Sequence, residues 1–543
     1  MLSSLERFPV APRSVFTKQL EARRPSAGRR TWVFVPYDQL TDRIGPLARL
    51  APEAAGIVLV ESRAKAARRP YHKQKLALVL ANLRHFALEQ AARGVAVRHV
   101  GTDGGCAEVL EDVAREVGPL QVMQPAEREL RVELAPLVDA GHLEILPHEG
   151  WLTTTEQFEA AAGTAPPWRM DAFYRHVRRA TGLLMEDGKP AGGKWSHDAA
   201  NRKPWRGEPP APTPPRFRPD GVTQEVVALV EGAFVEHPGR LDARTLPVTA
   251  AHARRLWTWA KTECLRDFGP YEDAMSERSR GLFHTRIAPL LNHHRLLPAR
   301  VVAEAAALDV PIESREGFVR QILGWREFVR HVHEATDGFR DLPGGSAPSH
   351  LGAHEPLPAA YWGEPSGLRC LDHVVETVWE EGYSHHITRL MVLSNLATLL
   401  DVEPRELTDW FWAAYVDAYD WVVEPNVLGM GTFALGDVMT TKPYVSGAAY
   451  IDRMGDHCSA CAFDPKRDCP ITPLYWAFLA RHEETLGSNL RMRMPYASLR
   501  RRDPARREAD ARVFEHVRSR LAEGRAVDPA GLAAALEAKE AGR

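Results

Sequence analysis

The chain has 543 residues, of which 44% are hydrophobic and 26% charged, and its formal net charge is −2. This length suits two or three domains with cores of their own, and the near-neutral charge excludes a wholly basic nucleic-acid-binding protein, so any nucleic-acid surface must be a local patch. No apolar run has the length of a membrane span, and the N-terminus lacks the apolar core of a secretory signal. The six cysteines then indicate a cytoplasmic protein, in which clustered thiols are more often metal ligands than disulfides.

The first half of the chain has the pattern of an α/β domain. Residues 1–30 are predicted to be a disordered, basic leader. Helical patterns separate several of the short β-branched runs that follow, and the clearest covers residues 72–93. This alternation predicts a parallel, Rossmann-like sheet over residues 31–150, although no Gly-rich dinucleotide fingerprint follows the first run. The five runs are residues 32–35, 56–60, 95–100, 120–123 and 142–146.

The second half is predicted to be helical. Residues 151–221 form a predicted interdomain connection, because segments such as EPPAPTPPRFRPDG are rich in Pro, Gly and charge. Residues 222–543 form a predicted all-α domain, in which Pro404 marks the start of one helix. One apolar stripe at helical spacing consists of Phe318, Ile322, Trp325, Val329 and Val332.

Three thiols crowd into the segment DHCSACAFDPKRDCPITPLYW. Cys458 and Cys461 have a spacing that both zinc and iron–sulfur sites use, and Cys469 adds a third ligand followed by proline. The spacing predicts a metal site but leaves its metal open, and a set of buried free thiols is the alternative. A fourth ligand would come from Cys106, Cys264 or Cys370, among which the spacing does not choose.

Longer motifs resemble a known family. The segments CLDHVVETVWEEGYSHHITRLMVLSNLATLL and WFWAAYVDAYDWVVEPNVLGMGTFALGDVMTTKPYVSGAAYIDRM, with YEDAM, LFHTRIAPLLN and YHKQKLALVLANLRHFA, resemble the bacterial iron–sulfur photolyases and cryptochromes, the prokaryotic (6-4) photolyases. The resemblance covers nearly the whole chain after residue 30. It implies the photolyase/cryptochrome fold, in which the N-terminal α/β domain binds a 6,7-dimethyl-8-ribityllumazine antenna and the large all-α C-terminal domain binds FAD and a 4Fe-4S cluster. The residues that match the cluster ligands are Cys370, Cys458, Cys461 and Cys469.

The resemblance also implies an activity. Reduced FAD excited by light would donate an electron to a (6-4) lesion flipped out of UV-damaged DNA. His385 and His386 match the lesion-side histidines, and imidazole suits proton transfer near neutral pH. Tyr444, Met430 and Asp273 match positions that face or adjoin the lesion. Without the motif, a histidine pair is more often at a surface or helix end, and a carboxylate such as Asp273 is as often a salt-bridge partner.

Further positions match the cofactor and DNA contacts of the family. Trp362 and Trp410 match an electron relay to the flavin, although aromatic residues at helical spacing are more often core. The FAD-binding matches are Thr285, Arg389, Asp417 and Asn426. A basic loop is usually just solvated, and the alternative is that it contacts DNA phosphates through Arg202, Lys203 and Arg206.

The chain departs from the family pattern at several places, among them Ala288 in place of a serine, a shorter loop before Cys469, and the following three. Phe411 stands where relatives often have tyrosine beside the second relay tryptophan. Glu424 is one position later than the acid that relatives have near the flavin. Tyr37 replaces the glycine of a GDQL motif in the antenna domain, which affects the expected pigment site.

Three functions compete. The first is a DNA photolyase, a carbon–carbon lyase that acts as a monomer without a membrane partner. The second is a cryptochrome-like blue-light photoreceptor with the same cofactors and little repair activity. The third is a zinc-ribbon DNA-binding protein without flavin, which would be colourless.

Overall fold

The computed structural model describes residues 14–25, 28–342 and 349–537. Five parallel strands form one sheet in the order β3-β2-β1-β4-β5, so the chain winds outward in both directions from a central strand. In that central strand Val33 pairs with Ile57 on one side and with Gln121 on the other. The strands are β1 Thr31–Phe34, β2 Ala55–Ser62, β3 Ala96–Thr102, β4 Leu120–Met123 and β5 Leu143–Leu146.

Both faces of the sheet are covered at its centre, which is why β2 is a nearly continuous apolar run. Val33 and Ile57 pack on one face, and Phe34 and Val58 on the other. The helices of this half of the chain are Val15–Glu21, Pro46–Arg49, Arg63–Ala66, Lys73–Ala92, Cys106–Val117, Arg128–Asp139, Thr155–Ala162 and Met170–Thr181.

Helix Lys73–Ala92 is buried on nearly all sides because it lies between the sheet and the helical half. Its residues Leu83 and Phe86 pack against the sheet, whereas Leu76 and Leu80 belong to the core of the helical half. Its buried polar residues also have partners, as Lys75 donates to the carbonyls of Trp412 and Ala418 at 2.7 and 2.6 Å. This helix therefore fixes the sheet to the helical half.

The second half is helical. Beyond the two-residue strands Met185–Glu186 and Lys189–Pro190, residues 191–342 and 349–537 contain no strand, only an isolated bridge between Glu355 and Val402. Its α-helices are Gly221–Ala233, Ala250–Trp259, Ala288–Asn292, Pro298–Ala306, Ile312–Val319, Glu327–Ala335, Arg369–Glu381, His386–Thr388, Asn395–Leu399, Pro404–Ala414, Asp420–Glu424, Ala448–Met454, Ile471–Arg481, Glu483–Leu486, Arg493–Arg500, Pro504–Ala522 and Pro529–Glu537.

Four turns of π-helix interrupt or extend these helices, at Ala260–Cys264, Arg320–Arg326, Arg389–Ser394 and Pro425–Gly431. A π turn inserts a residue into the helix and often marks a functional site. Two of them contain predicted site residues, namely Arg389 in the third turn and Asn426 and Met430 in the fourth.

The predicted α/β and all-α architecture is confirmed, and the five predicted strands are all present. The prediction of a disordered leader is wrong for residues 15–21. These residues form helix Val15–Glu21, which is capped by Ser14 and buries Phe16. Residues 1–13 and 26–27 of that leader lie outside the described residues. The predicted connection 151–221 contains two helices, and Phe158 and Phe173 from them pack into the helical half. The exact domain limits stay predictions.

A buried ion pair supports the sheet. Glu61 accepts two hydrogen bonds of 2.8 Å from Arg84, and its Oε1 lies 2.9 Å from His99 Nε2. All three side chains are almost fully buried. Burial opposes ionisation of Glu61, but Arg84 and His99 outweigh it and lower the pKa of the carboxyl.

We expect Glu61→Ala to lower the free energy of unfolding by about 3–5 kcal/mol, because it leaves the buried Arg84 without its counter-ion. Urea unfolding followed by circular dichroism measures the change. Glu116→Ala removes a mostly exposed carboxylate that pairs with Arg98, and we expect it to change the free energy by less than about 0.5 kcal/mol. Equal effects of the two variants would contradict the role of the buried pair.

Candidate functional site

Three histidines from two segments meet in the helical half. His385 and His386 follow the left-handed Gly382 that ends helix Arg369–Glu381. The ring of His284 stacks on His385, with centroids 4.6 Å apart and an interplanar angle of 6°, and its edge meets His386 at 5.4 Å. Sequence reasoning missed His284, although it precedes Thr285 in the motif LFHTRIAPLLN.

The three imidazoles differ in charge. Burial holds the pKa of His284 and of His385 well below the ordinary value, so both are neutral at pH 7. The side chain of His386 is 45% exposed, and its Nε2 lies 3.6 Å from Asp273 Oδ1. Partial burial opposes its protonation, but the carboxylates of Asp273 and Glu272 outweigh this and raise the pKa of His386. One exposed imidazole with a raised pKa therefore adjoins two rings that are neutral at pH 7.

Asp273 is held in place from several directions. Tyr450 donates its hydroxyl to Asp273 Oδ2 at 3.2 Å, and Arg202 Nε lies 3.7 Å from the same oxygen. Burial opposes the charge, yet the contacts with His386 and Arg202 lower the pKa of Asp273. The pKa directions of Asp273 and His386 agree with one another and describe an ion pair. Tyr450 was missed by sequence reasoning because it is 177 residues away along the chain.

The neighbouring Glu272 is the more buried of the two carboxylates. It accepts hydrogen bonds from Asn201 and, at 2.6 Å, from Gln321. Burial raises the pKa of this carboxyl above its ordinary value. The predicted connection thus reaches this site directly through Asn201.

The predicted flavin contacts adjoin the histidines. Arg389 donates to both oxygens of Asp417 at 3.1 and 3.0 Å, and its Nε donates to the carbonyl of Ser384 at 2.8 Å. Its guanidinium lies 4.0 Å from the centroid of the Tyr415 ring. The side chain of Asn426 donates at 2.7 Å to a carbonyl of its own helix. The ion pair of Arg389 and Asp417 therefore lies directly beside the segment that carries His385.

Several polar atoms in this region suit a polar ligand. His284 Nε2, His385 Nδ1 and Arg286 Nε are buried and have no hydrogen-bond partner within the described residues. Arg286 also contacts Glu381 at 2.6 Å and covers the ring of Tyr383 at 4.3 Å. Unpaired buried donors and acceptors are costly, so these residues fit a cofactor that supplies phosphates and ring heteroatoms.

The remaining predicted residues lie as follows. Tyr444 and Met430 are half-buried, and burial raises the pKa of the Tyr444 hydroxyl. Arg206 donates to the backbone of Gly455 at 3.1 Å, and Lys203 lies over the ring of Tyr271 at 5.1 Å. Arg206 is thus bound to the protein, as is Arg202.

The four predicted cluster cysteines line one small, apolar cavity. Cys370 lies in the first turn of helix Arg369–Glu381, and the other three lie in the loop before helix Ile471–Arg481. Burial and then the three nearby thiols raise the pKa of Cys370. Within the described residues, no group of three or more His, Cys, Asp or Glu side chains is arranged to hold a single metal ion.

Glu424 has a structural environment. Its carboxylate contacts His333 at 2.9 Å, Arg340 at 3.1 Å and Arg405 at 2.7 Å. Burial opposes the charge, but these partners lower the pKa of Glu424 to about 2. Because three side chains bind the Glu424 carboxylate, this residue has a structural role. That role accounts for an acid at position 424 in this chain, one position later than in relatives.

Tyr37 borders a crevice between the sheet and the helical half. Its hydroxyl donates to Glu127, which also binds Lys65 at 2.6 Å. Its ring stacks on Tyr419 with centroids 5.9 Å apart. Cys106 lines the same crevice. Tyr37 therefore fills space that the glycine of the family motif would leave open.

Comparison with solved structures defines the fold. The protein superposes on a bacterial class III photolyase from Agrobacterium tumefaciens with a TM-score of 0.53 and 15% identity, over 91% of this chain and 99% of that one. It superposes on a cryptochrome from Synechocystis sp. PCC6803 with a TM-score of 0.51 and 15% identity, over 75% of this chain and 83% of that one. The chain thus has the photolyase/cryptochrome fold.

Sequence comparison defines the family. A family model described as "Deoxyribodipyrimidine photo-lyase-related protein" matches residues 33–246. The (6-4) photolyase of Agrobacterium fabrum (strain C58) is 35% identical over 485 residues, which are 86% of this chain and 94% of that relative. The chain belongs to this family of photolyases. Within the described residues, no helix is both long and apolar enough to cross a membrane.

We expect Asp273→Asn to lower the pKa of His386 to its ordinary value of about 6.5 or below, because the variant removes the carboxylate that pairs with the imidazolium. Titration of the histidine signals by NMR, in the dark, measures this pKa. Asp198→Asn is the matched control, since Asp198 instead contacts Arg202 and Arg320. An unchanged His386 pKa in Asp273→Asn would contradict the ion pair.

Proposed function

We propose that this protein is a light-dependent DNA photolyase that reverses (6-4) pyrimidine–pyrimidone photoproducts with FAD as its cofactor. The observation that carries the proposal is the exposed His386 imidazolium, paired with Asp273 and placed next to neutral His385 and the Arg389–Asp417 pair. This arrangement offers a proton to a molecule that enters from solvent. The name and near-complete overlap of the relative from Agrobacterium fabrum support the same reaction.

The chain's own residues supply binding and proton transfer. The half-exposed ring of His386 lies at the solvent side of the histidine cluster, where a flipped base would enter, while its Nε2 faces Asp273. Asp273 keeps the imidazole charged before the reaction and orients it, and Tyr450 and Arg202 hold Asp273. Return of the migrated hydroxyl group requires proton transfer, and a positioned imidazole near its pKa performs such a step well.

FAD would be held by the segments around Thr285, Arg389, Asp417 and Asn426. Its phosphates would be met by Arg286 and neighbouring backbone amides, and Arg389 and Asp417 would contact the ring system. When bound and reduced, FAD supplies the light-excited electron that starts repair. Tyr444 and Met430 would face the lesion.

A surface near Tyr444 suits damaged DNA. Among the residues that the structure describes, Leu490 and Met494 are the most exposed large apolar side chains, at 86% and 75%, and Arg491 lies between them in sequence. Asn489 donates at 2.9 Å to a carbonyl three residues before Tyr444, which fixes this segment beside the proposed lesion site. Apolar tips flanked by arginine fit a duplex whose base stack has been opened.

Two further cofactors belong to the proposal. The four thiols around one cavity would bind a 4Fe-4S cluster, whose ligand sulfurs stand farther apart than those around a single ion. The crevice beside Tyr37 would hold a ribityllumazine antenna, with Lys65 and Glu127 as polar partners. All six cysteines are unpaired, which fits a monomer working in the reducing cytoplasm.

Repair of a defined lesion tests the function. An oligonucleotide with one (6-4) product is illuminated with blue light in the presence of protein whose flavin has been reduced with dithionite. Recovery of normal thymines is expected. Binding of flavin without any recovery would overturn the photolyase function and favour a cryptochrome-like photoreceptor. Zinc in place of flavin and iron would favour the zinc-ribbon alternative.

We expect His386→Asn to lower the repair yield by about 10²- to 10⁴-fold, the usual contribution of a general acid. The flavin content should not change. His354→Asn is the control, because His354 is also exposed and its ring contacts the carbonyl of Gly352 in its own loop. Wild-type repair by His386→Asn would contradict the proton-donor role.

We expect Cys458→Ala to yield insoluble or cofactor-poor protein, because the cluster would join helix Arg369–Glu381 to the loop of residues 458–469. Iron, sulfide and FAD per chain are the measurements. Cys264→Ala changes a buried cysteine outside the cavity and should keep all three. Normal yield with full FAD content in Cys458→Ala would show that the thiols do not anchor the domain.

A further inference from the structure

Arginines are concentrated in one segment near the C-terminal end of the helical half. Residues 490–507, LRMRMPYASLRRRDPARR, contain seven arginines and one aspartate, although the formal net charge of the whole chain is −2. We propose that these residues, the arginine segment, bind the phosphates of intact duplex DNA beside the lesion, an inference that rests on the proposed repair function. Undamaged duplex would bind as well, because phosphate contacts carry no information about the bases.

Four of the seven arginines are not engaged with the rest of the protein. Within the part of the chain that the structure describes, an exposed side chain without any ion pair or hydrogen bond is found at Arg491, Arg493, Arg501 and Arg506. The other three are paired. Arg500 and Arg507 contact Glu483 at 3.1 and 3.4 Å. Arg502 contacts Asp510 at 2.6 Å. The four unpaired guanidinium groups keep all their donors for an anionic ligand.

The fold turns one face of helix Arg493–Arg500 outward. Tyr496 and Leu499 anchor the opposite face in the core. Met494 and Arg501 are both exposed and seven residues apart, so they lie on the same side of the helix. Seven residues span about 10 Å of helix, which matches three nucleotides of one strand at about 3.4 Å each. This face can therefore follow a DNA backbone.

The arginine segment adjoins the proposed lesion site. Burial raises the pKa of the Tyr444 hydroxyl, and the nearby charges of Arg491 and Arg202 oppose this shift. Arg202 Nε lies 3.7 Å from Asp273, which in turn contacts His386 at 3.6 Å. A duplex along the segment would therefore pass the point at which a base can enter the histidine cluster.

The basic loop NRKPWR is less suited to phosphates than the arginine segment. Arg206 donates to the backbone carbonyl of Gly455 at 3.1 Å. Arg202 contacts the carboxylates of Asp198 and Asp273. A phosphate would have to displace these contacts, whereas the unpaired arginines of the segment have none to lose.

The salt dependence of binding to undamaged DNA tests the proposal. The full-length protein is titrated in the dark into a fluorescein-labelled, undamaged duplex at several KCl concentrations, and fluorescence anisotropy gives Kd. We expect Arg493→Gln/Arg501→Gln to make the slope of log affinity against log salt less steep by about 2, since each phosphate contact contributes about 0.9. A quadruple variant that adds Arg491→Gln and Arg506→Gln should lose about 3–4. An unchanged slope in the quadruple variant would overturn the proposal.

Arg240→Gln/Arg300→Gln is the matched control for net charge. Its two arginines have side chains that are 65% and 66% exposed, but each is paired with a glutamate. This double variant should therefore keep the wild-type slope. Equal loss of slope in the two double variants would show that net charge, rather than the arginine segment, sets the affinity, and would overturn the proposal. Circular dichroism should show the wild-type fold in all variants, because the altered side chains are on the surface.

Damaged DNA and lipid vesicles complete the test. In the quadruple variant, affinity for a duplex with one (6-4) product should fall by the same factor as affinity for undamaged duplex, because both share the phosphates. A loss confined to the damaged duplex would overturn the proposal, as would wild-type binding to phosphatidylserine vesicles without binding to DNA. Wild-type protein that shows the expected slopes but repairs no lesion would instead reject the proposed function alone.

Discussion

The charge of one imidazole depends on the carboxylates of Asp273 and Glu272, and the proposed chemistry depends on that charge. In a cluster of three histidines, burial alone would leave every ring neutral, as it does His284 and His385. Asp273 opposes this effect of burial at His386 only, because His386 is the one ring of the three that it contacts. The cluster thus has one imidazole with a raised pKa at its exposed edge, which is the proposed proton donor, and the carboxylate that contacts it is held by Tyr450 and Arg202.

Helix Arg369–Glu381 links the functional parts of the helical half. Cys370 lies in its first turn, and His385 follows the turn at Gly382. That glycine has a φ of 62°, and a Cβ there would lie 2.7 Å from the side chain of Val416, so the turn requires glycine. The cavity lined by the four thiols and the histidine cluster are therefore linked by one helix.

Local sequence patterns predicted the strands and a long helix, whereas the residues that meet through long-range contacts could not be predicted from such patterns. The strands and helix Lys73–Ala92 could be predicted because β-branched runs and helical spacing are local signals. The four thiols could be grouped only through the family resemblance, since Cys370 is 88 residues before Cys458. His284 and Tyr450 were missed because their partners come from distant segments. Helix Val15–Glu21 was missed because its one buried aromatic, Phe16, gives no periodic pattern.

The pH dependence of repair by wild-type protein with dithionite-reduced flavin tests the central claim most directly. If His386 is the proton donor, the repair yield is constant at low pH and falls as the pH rises through the pKa of His386, which its carboxylate neighbours raise above the ordinary value. In Asp273→Asn the same fall should occur at lower pH. A yield that stays flat with pH in both proteins would contradict the role of the His386–Asp273 pair.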